Sequence, residues 1–147
     1  MKLQDIHDAI TARLEDIQTL DGYNTNAGIY VMQGQQAVTE HDPMPRLAVV
    51  PGQSTRAADT GKGGRAYTME TRWTITGMAE CTQADPYAAG YPLLEDMMSA
   101  LQRWDDPTLG GLLVNLMAIQ STEIQTDESQ NFVFARLELT TQHIETY

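Results

Sequence analysis

A fifteen-residue segment of alternating polarity, Ala66 to Glu80, restricts the possible folds more than any other part of the chain. Its apolar positions recur with a period of two, with Thr71 interrupting the set: Tyr67, Met69, Trp73 and Ile75. Since successive side chains of a β-strand point to opposite faces, the pattern predicts a strand with one buried and one wet face. Most strands have roughly 3–10 residues, so we expect a bend or a projecting end, with Gly77 as the candidate for a bend.

Two segments have the apolar spacing of amphipathic helices. The first runs from Leu3 to Ile17, and Asp21-Gly22 is expected to end it. The second begins at Asp85-Pro86, where Asp can cap the helix and Pro suits its first position. Its predicted apolar stripe consists of Tyr87, Tyr91, Leu94, Met98 and Leu101, with Met97 and Trp104 beside it. Met97 and Met98 are expected to fill gaps in the packing, and a methionine stripe that faces a partner is the alternative.

Further strands are predicted at 28–32, 46–50, 112–125 and 132–144, although the start of the third also suits a helix. The last two are expected to form a hairpin through a turn at 127–131. The stretch 33–45 is predicted to be a loop. This order predicts a single α+β domain over residues 1–147: a mixed, mostly antiparallel sheet of four to five strands with two helices packed on one face.

Charge is distributed unevenly along the chain. The formal charge is −11, from 20 acidic and 9 basic residues, which argues against free nucleic acid as a partner. Residues 52–65 are basic and glycine-rich, and they are interpreted as a flexible arm that contacts a neighbouring subunit through Arg56, Lys62 and Arg65. No apolar run approaches the ~20 residues of a membrane span, and Asp5 and Asp8 argue against a signal peptide. We therefore expect a cytosolic protein without a membrane partner.

The histidines, the lone cysteine and the glycine-rich segment of the chain match no known catalytic or metal-binding pattern. His7, His41 and His143 lack metal-ligand spacing. Glu40-His41-Asp42 lies beside Pro43 in a polar loop and is interpreted as a solvated turn, with weak binding of a divalent ion as the alternative. His143 is interpreted as a surface residue of the last strand. The Gly61–Gly64 segment lacks the remaining residues of a phosphate-binding loop. Cys81 has no base close by in sequence, although a distant histidine that approached it in the fold would leave a nucleophilic role open. No enzyme activity, cofactor or metal is therefore predicted.

Element order and local sequence together resemble the tail terminator proteins of long-tailed bacteriophages, the lambda-like minor tail protein U family. The resemblance covers nearly the whole chain and rests on pattern. It includes the N-terminal helix, PRLAVVPG at 45–52, TMETRWTITGMAE at 68–80, PYAAGYPLLEDMMSALQ at 86–102 and ESQNFVFARLELTTQHIETY at 128–147.

The resemblance implies a non-catalytic virion protein of the tail or neck, assembled in the host cytoplasm as a homo-hexameric ring. Such a ring caps the tail tube, ends its polymerisation and joins the head. Its implied partners are the tail tube protein and a head–tail connector or stopper protein, with DNA only as cargo in the lumen. A head-closure or other neck protein is the alternative, and a small ligand-binding or enzymatic domain is a further one.

Overall fold

The computed structural model describes residues 2–34, 43–59, 66–82, 84–103, 105–127 and 131–146. Its helices and strands are, in chain order, α1 (Lys2–Glu15), β1 (Val31–Gln33), β2 (Arg46–Asp59), β3 (Ala66–Glu80), α2 (Tyr87–Leu101), β4 (Ala118–Asp127) and β5 (Phe132–Thr146). Two 3-10 turns, Thr19–Asp21 and Ala27–Ile29, lie between α1 and β1.

The five strands form one sheet in the order β1-β2-β3-β5-β4. Only β1 and β2 are parallel, and every other neighbouring pair is antiparallel. Both helices pack on one face, where α1 lies over β1 and β2 and α2 lies over β3, β4 and β5. The predicted fold class and the β4–β5 hairpin are confirmed.

The long central strand was predicted at its correct bounds, and its helix-facing side chains are buried. Trp73 and Ile75 belong to the core, and Thr71 is buried beside them. The pairing of β3 with β5 runs without a register shift past Gly77. The prediction that Gly77 bends the strand is therefore wrong. A Cβ there would lie 2.8 Å from Leu93 Cδ2 and 3.0 Å from Met97 Sδ, so this glycine lets α2 approach the sheet.

Strand β2 is longer than predicted. Pro51-Gly52 does not end it, and pairing with β3 continues to Asp59 through register shifts after Pro51 and Arg56. The β-bulges absorb residues that a regular ladder cannot hold, so the strand continues beyond the proline. The prediction of a flexible arm at 52–65 is therefore wrong for residues 52–59. Lys62, Arg65 and the rest of the arm lie outside the described residues.

The first helix is shorter than its apolar pattern suggested. It ends at Glu15, and Ile17 is buried just beyond it. The predicted strand at 28–32 is a 3-10 turn followed by the short β1. The predicted strand at 112–125 begins only at Ala118, because residues 108–112 form turns with Leu109, Gly110 and Gly111 at positive φ.

The second helix turns a different face to the sheet from the one predicted. It begins at Tyr87, so that Pro86, rather than the predicted Asp85, occupies the N-cap position. Its buried residues are Gly90, Leu93, Asp96, Met97, Ala100 and Leu101. In the predicted apolar stripe, Tyr87 and Tyr91 are 46% and 62% exposed, Leu94 and Met98 pack partly against the core, and Leu101 is fully buried. Trp104 lies outside the described residues.

Ionic contacts fix the corner between the two helices. Arg13 is buried, donates to Leu101 O at 2.9 Å and also contacts Asp106 through the carboxylate and the main-chain oxygen. Arg103 pairs with Asp16 at 2.5 Å, and that hydrogen bond raises the pKa of Arg103. A buried guanidinium thus satisfies the last carbonyl of α2, which holds α1 and α2 at a set angle.

Candidate interaction surfaces

Of the three residues predicted to contact a neighbouring subunit, the structure describes Arg56. Arg56 lies on β2 with an exposed side chain, and its guanidinium carbon stands 4.9 Å above the Tyr67 ring. This stacking places Arg56 on the body of the sheet, on the side where the helices pack. Lys62 and Arg65 lie outside the described residues, as do Glu40-His41-Asp42 and Gly61–Gly64.

Of the three histidines, the structure describes His7 and His143, and the contacts of both are with groups other than Cys81. His143 was predicted to be a surface residue and is instead fully buried, with Nε2 2.9 Å from Glu145 Oε1. His7 lies edge-on to Trp73, with the ring centroids 5.5 Å apart. Cys81 follows β3 and donates its main-chain N–H to Asn131 O. Among the described residues, no group of three or more potential ligands is placed to hold a metal ion.

Exposed large apolar side chains concentrate in two regions. One is the connection from α1 to β1, which carries Leu20, Ile29 and Tyr30. The other comprises the exposed side of α2 and the loop that leads into β4, with Tyr87, Tyr91, Val114 and Leu116. Since β1 and β4 are the outer strands of the sheet, each region adjoins a different end of it.

We define the β4-end patch as Tyr87, Tyr91, Leu94, Met98 and Leu116. The rings of Tyr87 and Tyr91 stack at 5.9 Å, and Leu94 and Met98 are half-buried beside them. A shallow groove of about 510 Å³ follows this side of α2 down to Gln102. Gln102 also lines a second groove of about 200 Å³ that contains Leu116, so the patch continues past the end of α2.

The direction of this patch follows from how α2 sits on the sheet. Leu93 and Met97 lie above Gly77 on β3, whereas Gly90 lies against β5 and β4 at Val133 and Ile124. Side chains advance by about 100° per residue around a helix. Around the helix axis, the direction that leads from Leu93 and Met97 to Gly90 leads next to a stripe of four side chains: Leu94, Tyr87, Met98 and Tyr91. This stripe therefore overhangs β4, at the outer edge of the sheet.

We define the β1-end patch as Leu20, Ile29 and Tyr30. A carboxylate on α2 holds the segment that carries them. Asp96 is buried and accepts hydrogen bonds from the main-chain N–H groups of Asn24 and Thr25 and from the Thr25 hydroxyl, at 2.7 to 2.9 Å. These three bonds fix the chain just before the 3-10 turn that presents Ile29.

The open face of the sheet is mostly polar. A hollow of about 370 Å³ there is lined by Val50, Thr74, Thr76, Gln125, Phe134 and Arg136. Arg136 pairs with Glu138, and Glu123 accepts from Gln125. This face therefore suits a wet contact, whereas the two patches offer apolar area.

Neither patch was predicted as a surface from the sequence. The tyrosines of α2 were grouped with Leu94 and Leu101 in one apolar stripe, and only the methionines were considered as a surface that faces a partner. The signal that identifies the true buried face is the pair of small residues, Gly90 and Ala100, on the side of Leu93 and Met97. Small residues permit close helix–sheet packing, which outweighed the larger apolar area of the tyrosine stripe.

Comparison with known proteins adds a structural likeness. No protein-family model matches the chain, and no curated protein matches it. The fold is similar to that of 37 chains among the solved structures. One belongs to the "Virion of native gene transfer agent (GTA) particle", with 12% identity, a TM-score of 0.47, and coverage of 92% of this chain and 94% of that chain. At this identity and TM-score, function has to be argued from the chain's own residues.

Neither helix in the described part of the chain is long and apolar enough to cross a membrane.

Proposed function

We propose that this protein is a structural, non-enzymatic subunit of a phage virion, and specifically a tail terminator. Copies form a ring, a homo-hexamer in the family it resembles, that caps the tail tube, ends its polymerisation and offers a surface for joining the head. The observation that carries the proposal is the concentration of exposed apolar side chains beside both outer strands of one sheet. A ring subunit needs two unlike surfaces, one for each neighbour.

The architecture supports this role physically. A sheet covered by two helices is rigid, and recognition of a tube end depends on shape and surface complementarity. The proposed partners are further copies of this chain, the tail tube protein and a head–tail connector or stopper protein. The whole-chain resemblance to tail terminators supports the specific assignment over a generic ring protein.

The negative charge of the chain is compatible with the passage of DNA through such a ring. Each chain carries a formal charge of −11, and a ring multiplies it. Acidic side chains that line the lumen repel phosphates and keep DNA from sticking. Screening limits this effect to groups within about 8 Å of the DNA at physiological salt.

The test is to delete the gene from the phage that encodes it and to image the lysate by electron microscopy. We expect tail tubes of irregular, excessive length that do not join filled heads. Complementation from a plasmid should restore uniform tails. Tails of normal length beside leaking heads support a head-closure role instead, and a normal yield of infectious particles excludes both.

A further inference from the structure

We propose that the partner of the β4-end patch is the β1-end patch of a second copy of this chain, in a head-to-tail contact. This inference rests on the proposed ring function and names the surfaces that close the ring. The first argument is that both patches are apolar and adjoin opposite ends of one sheet. A head-to-tail contact uses unlike surfaces and leaves one of each available for the next copy.

The second argument is that a single row of paired residues, perpendicular to the strands, connects the two outer strands. Met32 on β1 pairs with Ala48, Ala48 with Thr76, Thr76 with Arg136, and Arg136 with Glu123 on β4. Met32 and Glu123 are thus the two ends of one row across the sheet. A contact between these edges adds no displacement along the strands, which favours a closed ring over an open filament.

Strand direction agrees with this geometry. β1 is parallel to β2, and three antiparallel steps follow from β2 to β4. β4 therefore runs antiparallel to β1. A rotation between copies that offsets the twist of the sheet, roughly 20–25° per neighbouring pair, brings β4 of one copy beside β1 of the next as an antiparallel neighbour.

The third argument is charge complementarity across the contact. Arg46 lies on the open face of the sheet, where its half-buried side chain contacts groups of its own chain and reaches over to Met32 on β1. Glu123 is exposed on β4, on the same face and in the same row. A head-to-tail contact brings Glu123 of one copy towards Arg46 of the next. The apolar patches supply most of the affinity, because an exposed ion pair contributes only about 0–1 kcal/mol.

Cross-linking tests the contact directly. Cys81→Ser removes the native thiol, and Met32→Cys with Glu123→Cys places one thiol at each end of the row. Oxidation should join copies into a ladder that ends at a closed species on non-reducing gels. Each cysteine alone should give at most dimers. A double variant that is folded by circular dichroism, like the parent chain, and yet stays monomeric under oxidation overturns the proposal.

Mixing of defective subunits tests whether the two surfaces are unlike. Tyr30→Asp blocks the β1-end patch and Tyr91→Asp blocks the β4-end patch, and Ala12→Asp on the exposed side of α1 is the matched control. By light scattering we expect each tyrosine variant to be monomeric, their mixture to form 1:1 dimers, and the control to assemble like the parent chain. Assembly by either variant alone, or a monomeric mixture, contradicts the inference.

These outcomes are separable from those of the proposed function. A ring joined through the two patches, in a phage whose tail length does not depend on the gene, supports the contact and rejects the tail terminator role. Uncontrolled tails in the deletion, together with normal assembly of Tyr30→Asp and Tyr91→Asp, support the role and reject the contact.

Discussion

At the scale of single residues, glycine decides how closely two backbone segments meet. Gly28 donates its N–H to Ile17 O at 2.9 Å, and a Cβ on it would lie 2.5 Å from Leu14 O and 2.6 Å from Glu15 O. These oxygens belong to the main chain at the end of α1 and cannot rotate away. The turn that presents Ile29 therefore depends on a residue without a side chain.

We expect Gly28→Ala to lower the free energy of unfolding by about 3 kcal/mol, at the upper end of typical overpacking costs. Urea denaturation measures this. Gly77→Ala is the matched control, because its new Cβ meets the movable ends of Leu93 and Met97 and should cost about 1 kcal/mol. Equal losses for the two variants would contradict the argument from rigid main-chain atoms.

The carboxylate of Asp106 makes the stability of the helix corner depend on pH. A hydrogen bond from the Gly110 N–H and the nearby Arg13 hold its pKa below the ordinary value of 3.8. A carboxyl whose pKa is lowered on folding stabilises the protein above its unfolded pKa, and that contribution is lost as pH falls through the folded value.

Asp106→Asn should therefore unfold at lower urea than the parent chain at neutral pH. The difference should begin to shrink as pH falls below about 3.8 and should be lost once the pH lies below the lowered pKa of the folded state, where the parent carboxylate also loses its charge. Urea midpoints measured across acidic pH check this. A difference that stays constant with pH would mean that the amide, through its shape, causes the loss.

At the scale of elements, a buried carboxylate connects α2 to the segment before β1. All three groups that Asp96 contacts are donors, so only a full carboxylate satisfies them together. The same contact positions the β1-end patch relative to the helix layer. Stability and the presentation of Ile29 and Tyr30 are therefore linked through one side chain.

Asp96→Ala should cost about 3 kcal/mol in unfolding free energy, because hydrogen bonds to a charged group contribute more than neutral ones. Hydrogen exchange should also show faster exchange at the amides of Asn24 and Thr25. Asp96→Asn should have an intermediate effect, since its amide keeps one acceptor oxygen. Unchanged exchange at those two amides in the alanine variant would refute the role of Asp96 as a tether.

At the scale of the whole molecule, the three basic residues Arg56, Lys62 and Arg65 remain a proposed contact with the next subunit. Replacing Arg56, Lys62 and Arg65 together by Ser should weaken assembly, and the effect should be larger at low salt, where charges are less screened. Light scattering at two ionic strengths measures it. Replacement of Lys2 by Ser, on α1, controls for loss of positive charge alone. Unchanged assembly at both salt concentrations would remove the arm from the interface.

The sequence alone was enough to predict the elements whose apolar period is long and regular. The bounds of β3, the α+β class and the closing hairpin all follow from alternation or helical spacing, which is local information. The burial of Trp73 follows in the same way. Strand β2 was predicted too short because pairing partners and bulges, rather than local propensity, carry a strand past Pro51-Gly52.

Only the tertiary structure decided which apolar residues became core and which became surface. Helix α2 has two apolar sides, and its sequence does not say which one meets the sheet. Close approach at Gly77 and Gly90 selected the side with Leu93 and Met97, and Tyr87 and Tyr91 were left outside. His143, by contrast, became buried through packing between elements. The candidate contact surfaces are therefore products of packing, because a side chain's exposure depends on residues far away in the chain.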